Sequence, residues 1–213
     1  RATPPKPAGG DSFTLRSILV EASQHNGYRL LIAGFFVCGF HVAFISVHLP
    51  AYLTDLGMPA GTGAWSLALI GFFNVLGSYV SGVLSGRYSK KYLLSGLYTG
   101  RAIVILAFIM LPISTGTVFV FSAIMGFLWL STVPPTSGLV AQIFGTRYMG
   151  TLFAIVFFSH QVGAFFGVWL GGYFFDNFGS YMPVWWAGIA LALTAAALHL
   201  PINDKAVPRF VNG

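Results

Sequence analysis

Arg101 is the one charged side chain that falls deep inside a long apolar run of this 213-residue chain. Counted from Tyr92 at 1.5 Å per residue, it lies roughly 15 Å into its segment, near the midplane of a bilayer about 30 Å thick. Insertion scales charge about 2.5 to 3.5 kcal/mol for an arginine at that depth, and no Asp or Glu occupies the interior of an apolar run to neutralise it. Such a cation needs water, carbonyl oxygens or an anionic ligand. Two readings stay open: a site for a solute anion, or a cation held by carbonyls and hydroxyls of neighbouring helices. Other polar groups fall at the same depth, namely His41, Asn74, Trp129 with Ser131, and His160 beside Gln161. In hydrocarbon they must face protein or a water-filled cavity. Several segments presenting polar groups at one level is the arrangement of a midplane solute site. Asn and His also link helices by hydrogen bonds, and Asn74 fits both readings. His160 with Gln161 favours a site, because two adjacent polar groups cannot both hide on one packed face.

Membrane helices must position these residues. Hydrophobic residues make up 56% of the chain, charged residues 8%, and the mean hydropathy is +0.78, whereas a soluble domain carries about 25% charge. The formal charge of +6 would suggest nucleic acid in a soluble chain. Here every Lys and Arg except Arg101 falls in segments assigned to one membrane face, so the excess records topology and no nucleic-acid partner is expected. Cys38 stands alone, which excludes a disulfide or thiolate metal site within the chain. The sequence contains no P-loop, Gly-x-Ser-x-Gly, His-Glu-x-x-His or Cys/His cluster, and Asp11, Asp55, Asp176 and Asp204 lie in loops or tails. No enzyme, cofactor or metal is expected. The chain opens on Arg1 without a signal-peptide pattern, as expected of a fragment, a processed product or a piece of a longer sequence.

Hydropathy predicts an all-α membrane protein with a linker over 1–27, a six-helix domain over 28–200 and a tail over 201–213. The spans are expected near Tyr28–Tyr52, Ala64–Leu84, Tyr92–Leu111, Thr117–Gln142, Met149–Phe175 and Tyr181–Leu200, each near the roughly 20 residues a crossing helix needs. Within the linker, Asp11 or Ser12 is expected to cap a short helix with Leu15, Ile18, Leu19 and Ala22 on one face, either along the membrane interface or in solvent. Pro50 is expected at the end of the first span, with His48 capping or gating there. Pro134-Pro135 should break the fourth span just below Trp129, as a static bend or a flexing gate. His25 and His199 fall at interfaces, with no specific role expected. The second span slides onto the fifth with Asn74 over His160 and Gly77 over Gly163, a faint three-plus-three repeat. Gly82, Arg87, Lys90 and Lys91 form a basic turn between the second and third spans. The positive-inside rule makes that turn cytoplasmic, and with it both termini.

That turn, Gly82-Val83-Leu84-Ser85-Gly86-Arg87-Tyr88-Ser89-Lys90-Lys91, resembles the loop signature Gly-x-Leu-x-Asp-Arg-x-Gly-Arg/Lys-Arg/Lys of the major facilitator superfamily. Gly86 stands where that signature has Asp, and Ser89 where it has its second Gly. Together with Phe35-Phe-Val-Cys-Gly-Phe, Gly126-Phe-Leu-Trp-Leu-Ser-Thr-Val-Pro-Pro and Ser159-His-Gln-Val-Gly-Ala-Phe-Phe-Gly, the chain is most similar to the carboxyl-terminal six helices of bacterial monocarboxylate porters. The resemblance implies a 3+3 inverted repeat, one half of a twelve-helix transporter of the bacterial inner membrane. It further implies alternating access, a small organic anion as solute and often a coupled proton. In those relatives a basic residue of the eleventh helix binds the carboxylate, and His160 occupies the corresponding helix here. Their basic residues on the eighth helix have no counterpart, because Asn74 stands at that depth, and Arg101 substitutes from the ninth. Asn74, Gln161 and Trp129 would then orient the solute. The expected partners are that anion, the lipid bilayer and a second six-helix half in cis or in trans. The alternatives are a six-helix structural or assembly subunit, or a carrier of a neutral metabolite or drug.

Overall fold

The computed structural model describes residues 14–207, which are helical with short connections and contain no strand. Residues 1–13 of the expected linker, with the Asp11 or Ser12 cap, lie outside the described residues. The first helix, α1 (Leu15–Gln24), is capped instead by Thr14, whose side chain accepts the Ser17 N–H at 3.3 Å. Ile18 and Ala22 are fully buried against the bundle, so α1 is neither free in solvent nor resting on lipid alone. His25 then caps α2 (Asn26–Asp55) by accepting the Tyr28 N–H on Nδ1 at 3.3 Å. An acceptor nitrogen requires the neutral ring, and partial burial lowers the pKa of His25 in that direction. The histidine assigned no role at the sequence level is therefore a helix cap.

The remaining helices are α3 (Ala60–Arg87), α4 (Lys90–Met110), α5 (Thr115–Leu128), α6 (Val133–Phe144), α7 (Met149–Phe178) and α8 (Met182–His199). Together with α2, and with α5 and α6 taken as one, they make six segments among the described residues that are long and apolar enough to cross a membrane. Pro50 does not end the first span; it sits inside α2, which continues to Asp55. Leu49 and Leu53 are fully buried around it, and that packing outweighs the one backbone bond a proline removes. The fourth span is also not one bent helix. It is two helices separated by Trp129 to Thr132, and the prolines occupy the first turn of α6. The reason is local. In a continuous helix the donors for the Leu130 and Ser131 carbonyls would be the N–H groups of residues 134 and 135, which proline lacks. Inside the first turn of a new helix the missing donors cost nothing.

The main pairings are α2 with α7, α3 with α5, and α4 with α8. Exchanging the first three spans for the last three turns the first pair into the second and leaves the third unchanged, as a 3+3 inverted repeat requires. The repeat extends to single atoms. A Cβ on Gly77 would overlap the Phe127 carbonyl, and one on Gly163 would overlap the Phe36 carbonyl. These are the two glycines that the sequence superposes. Two apolar clusters stack along the bundle, one around Leu31, Leu94, Leu139 and Leu152 and the other around Phe44, Phe108, Phe121 and Trp185. Arg101 lies where they meet.

Candidate functional site: the break in the fourth span

Residues 127–131 carry backbone groups that no helix satisfies, at the depth where an unpaired carbonyl is expensive. The carbonyls of all five, and the N–H groups of Trp129 and Leu130, find a side chain or a short turn. The Arg101 guanidinium spans the opening: Nε and Nη2 donate to the Leu128 carbonyl at 3.2 and 2.8 Å, and Nη2 also donates to the Trp129 carbonyl. Nη2 further meets Cys38 Sγ at 3.6 Å and Thr132 Oγ1 at 3.5 Å. The Leu130 N–H donates to Asn74 Oδ1 at 3.0 Å. Ser81 Oγ donates to the Ser131 carbonyl, and Ser131 Oγ closes on the Phe127 carbonyl at 2.5 Å. The broken span is thus stitched from α3 and α4.

The geometry brings together Arg101, Asn74 and the backbone of Trp129, three of the residues nominated from sequence. Trp129 contributes its carbonyl, while its ring joins the second apolar cluster. His41 does not join this group directly: its Nε2 pairs with the Gly188 carbonyl of α8 at 2.9 Å. His160 lies on α7, stacked on Phe157 at 5.1 Å between ring centroids, with Nδ1 3.1 Å from Gln161 Oε1. Its ring neighbours the Cys38 thiol, and Gln161 is exposed. A line of contacts therefore runs from the open face of α7 through His160 and Cys38 to Arg101. Arg101 is 1% exposed, and its Nη1, like His160 Nε2, has no hydrogen-bond partner among the described residues.

Sequence reasoning missed Cys38, Tyr98, Ser81, Thr132 and His199. The Arg101 guanidinium packs over the Tyr98 ring at 5.2 Å, and that ring also stacks on the fully buried His199 at 5.1 Å. For the serine a signal existed. Asn74, Ser78, Ser81 and Ser85 recur at helical spacing and mark one polar face of α3. The basic turn lies at one end of the bundle, where α3 stops at Arg87 and α4 begins at Lys90. Gly82 and Arg87 are exposed there, and Lys90 and Lys91 are half-buried.

Asn74→Leu should remove the acceptor of the Leu130 N–H and cost about 1–3 kcal/mol, the usual penalty for a buried donor left unpaired. Asn74→Gln keeps a neutral amide acceptor on the same face, adds no carboxylate to the membrane interior and should cost less. Thermal unfolding in detergent compares the two; equal losses would mean that Asn74 does not hold the break.

The sequence model of the Major Facilitator Superfamily matches residues 30–212. A curated relative, the uncharacterized MFS-type transporter YcxA of Bacillus subtilis strain 168, is 30% identical over 201 residues, which are 91% of this chain and 48% of that protein. The chain spans about half the length of the curated relative it matches.

Proposed function

The chain belongs to the major facilitator superfamily, and from that premise we propose that it is one half of a secondary transporter that moves a small organic anion, such as a monocarboxylate, by alternating access. The observation that carries this reading is the Arg101 cation, buried at the junction of the two clusters with carbonyls, a thiol and a hydroxyl as partners and no acid among them. A positive charge left uncompensated in a low dielectric favours an anion nearby. Its free Nη1 and the line through Cys38, His160 and Gln161 offer the solute a path of polar contacts. In this reading Asn74 and Trp129 orient the solute, His41 lends a further polar group, and His160 takes and gives the coupled proton.

The second half completes the cavity, in cis or as another chain. Two facts support it: the share of the relative covered, and the bareness of α3 and α7. Only 17% and 28% of their apolar windows are buried, against 56% in α2. These are equivalent helices of the repeat, and they leave Trp65, Phe72, Tyr79, Phe158, Phe165 and Trp169 exposed. The protein sits in a bacterial plasma membrane with the basic turn and both termini in the cytoplasm, as the distribution of Lys and Arg supports.

The carbonyl bonds of Arg101 favour a second reading, in which the cation only braces the break and the solute is neutral. Uptake by the complete protein in proteoliposomes separates the two. Radiolabelled short-chain carboxylates should enter while their amides do not. Equal entry of the amides, or exclusion of every acid tested, would sink the anion reading.

A further inference from the structure

Past α8 the chain does not leave the bundle. Ile202 is fully buried, and residues 202–207 run across the end of the bundle that carries the basic turn. Lys91 Nζ donates to the Ile202 carbonyl at 3.0 Å and lies 4.0 Å from the Asp204 carboxylate. Lys90 Nζ donates to Gln142 Oε1 at 2.9 Å, and Gln142 Nε2 donates to the Asp204 carbonyl at 2.8 Å. The Val207 N–H donates to the Ile143 carbonyl at 2.9 Å, one of the carbonyls that a helix leaves unpaired in its last turn.

All but the contacts of Lys91 converge on the last residues of α6. That helix has 12 residues and no helical continuity at either end. At one end lie residues 129–132; at the other Gly145 takes a φ of 74°, open to glycine at no steric cost. A short rigid segment between two non-helical joints is the geometry of a hinged element. Leu139, Val140 and Ile143 seat one face of it in the first apolar cluster, and its angle is then set by what grips its ends. Side chains of α3 and α4 grip the first, and the tail with Lys90 grips the second.

We propose that residues 202–207 are a clasp that fixes α6, and that opening the clasp lets α6 pivot about residues 129–132. The grip lies mainly in the hydrogen bonds, because an exposed ion pair as long as Lys91 to Asp204 contributes little. The clasp does not depend on which solute is carried, nor on Arg101 meeting it.

Hydrogen exchange of the intact protein in lipid nanodiscs tests this. Gln142→Leu removes two clasp bonds from an exposed side chain, so folding is not at risk. Val207→Pro removes the one N–H that reaches Ile143. Each should speed exchange of the amides of residues 136–145 by about tenfold, the response of a locally released unit, while those of residues 92–108 in α4 stay as they were. Unchanged exchange over 136–145 in both variants would overturn the clasp. So would faster exchange spread equally over α4 and α6, which marks general loosening.

Discussion

On the proposed anion reading, Arg101→Leu in the complete protein will cut carboxylate uptake by one to two orders of magnitude while leaving the protein in the membrane. A hydrogen bond to a charged group contributes about 1.5–3 kcal/mol, and at about 1.4 kcal/mol per decade its loss from a transported complex lowers the rate by roughly ten- to a hundredfold. The effect on folding is much smaller because two terms oppose each other. The Leu128 and Trp129 carbonyls lose their donor, at about 1–3 kcal/mol each. Against that, the variant no longer carries an arginine at the midplane, a relief of about 2.5–3.5 kcal/mol. Arg101→Lys should be intermediate: it keeps the charge, but an ammonium cannot fork across two carbonyls as guanidinium does. Initial uptake rates, normalised to the amount of protein in the membrane fraction, give the answer. Wild-type uptake by Arg101→Leu would end the proposal.

Gly163→Val will have the largest effect on stability. The new side chain meets the Phe36 carbonyl, a backbone atom on the most buried span, so it cannot be accommodated by turning a rotamer. Overpacking of this kind costs typically 1–3 kcal/mol, and a rigid neighbour puts the cost near the upper end. At roughly 2–4 °C per kcal/mol for a chain of this size, the midpoint should fall by about 6–12 °C. Gly77→Val should do the same through the Phe127 carbonyl, because it makes the equivalent contact in the other repeat. Gly172→Ala, which faces open space, is the control and should hold the midpoint or raise it slightly, since alanine is the better helix former. Thermal unfolding in detergent decides. A Gly163→Val protein as stable as the control would mean that α2 and α7 do not pack as closely as described.

The spans were legible because length and hydropathy alone nearly determine what crosses a bilayer. The interruption near Trp129 was legible because two successive prolines remove two donors wherever they stand. What the sequence could not reveal was which groups close that interruption. Arg101 and Asn74 stand out as polar residues among apolar ones, but their partners are carbonyls, and every residue has one. Cys38 and Tyr98 look like ordinary core residues until the fold sets them against the guanidinium. His199 looked interfacial because it lies at the end of its span, yet α4 covers it with Tyr98 and α2 opposes it with Gly34, leaving it fully buried. Gly77 and Gly163 could be matched by eye, but glycine is frequent here, and only the pairing of helices turned the match into a shared contact.

The stitching of the fourth span also fixes an order of events during synthesis. Asn74, Ser81 and Arg101 all precede the segment whose backbone they satisfy. A chain emerging from the ribosome therefore has its second and third helices available before residues 127–131 reach the hydrocarbon. Those exposed amides and carbonyls need never wait for something not yet made. A rearranged version of this protein, with the first three helices translated after the last three, would have to insert its interrupted helix unsupported. It should stall or misinsert there, even though its finished structure would be the same.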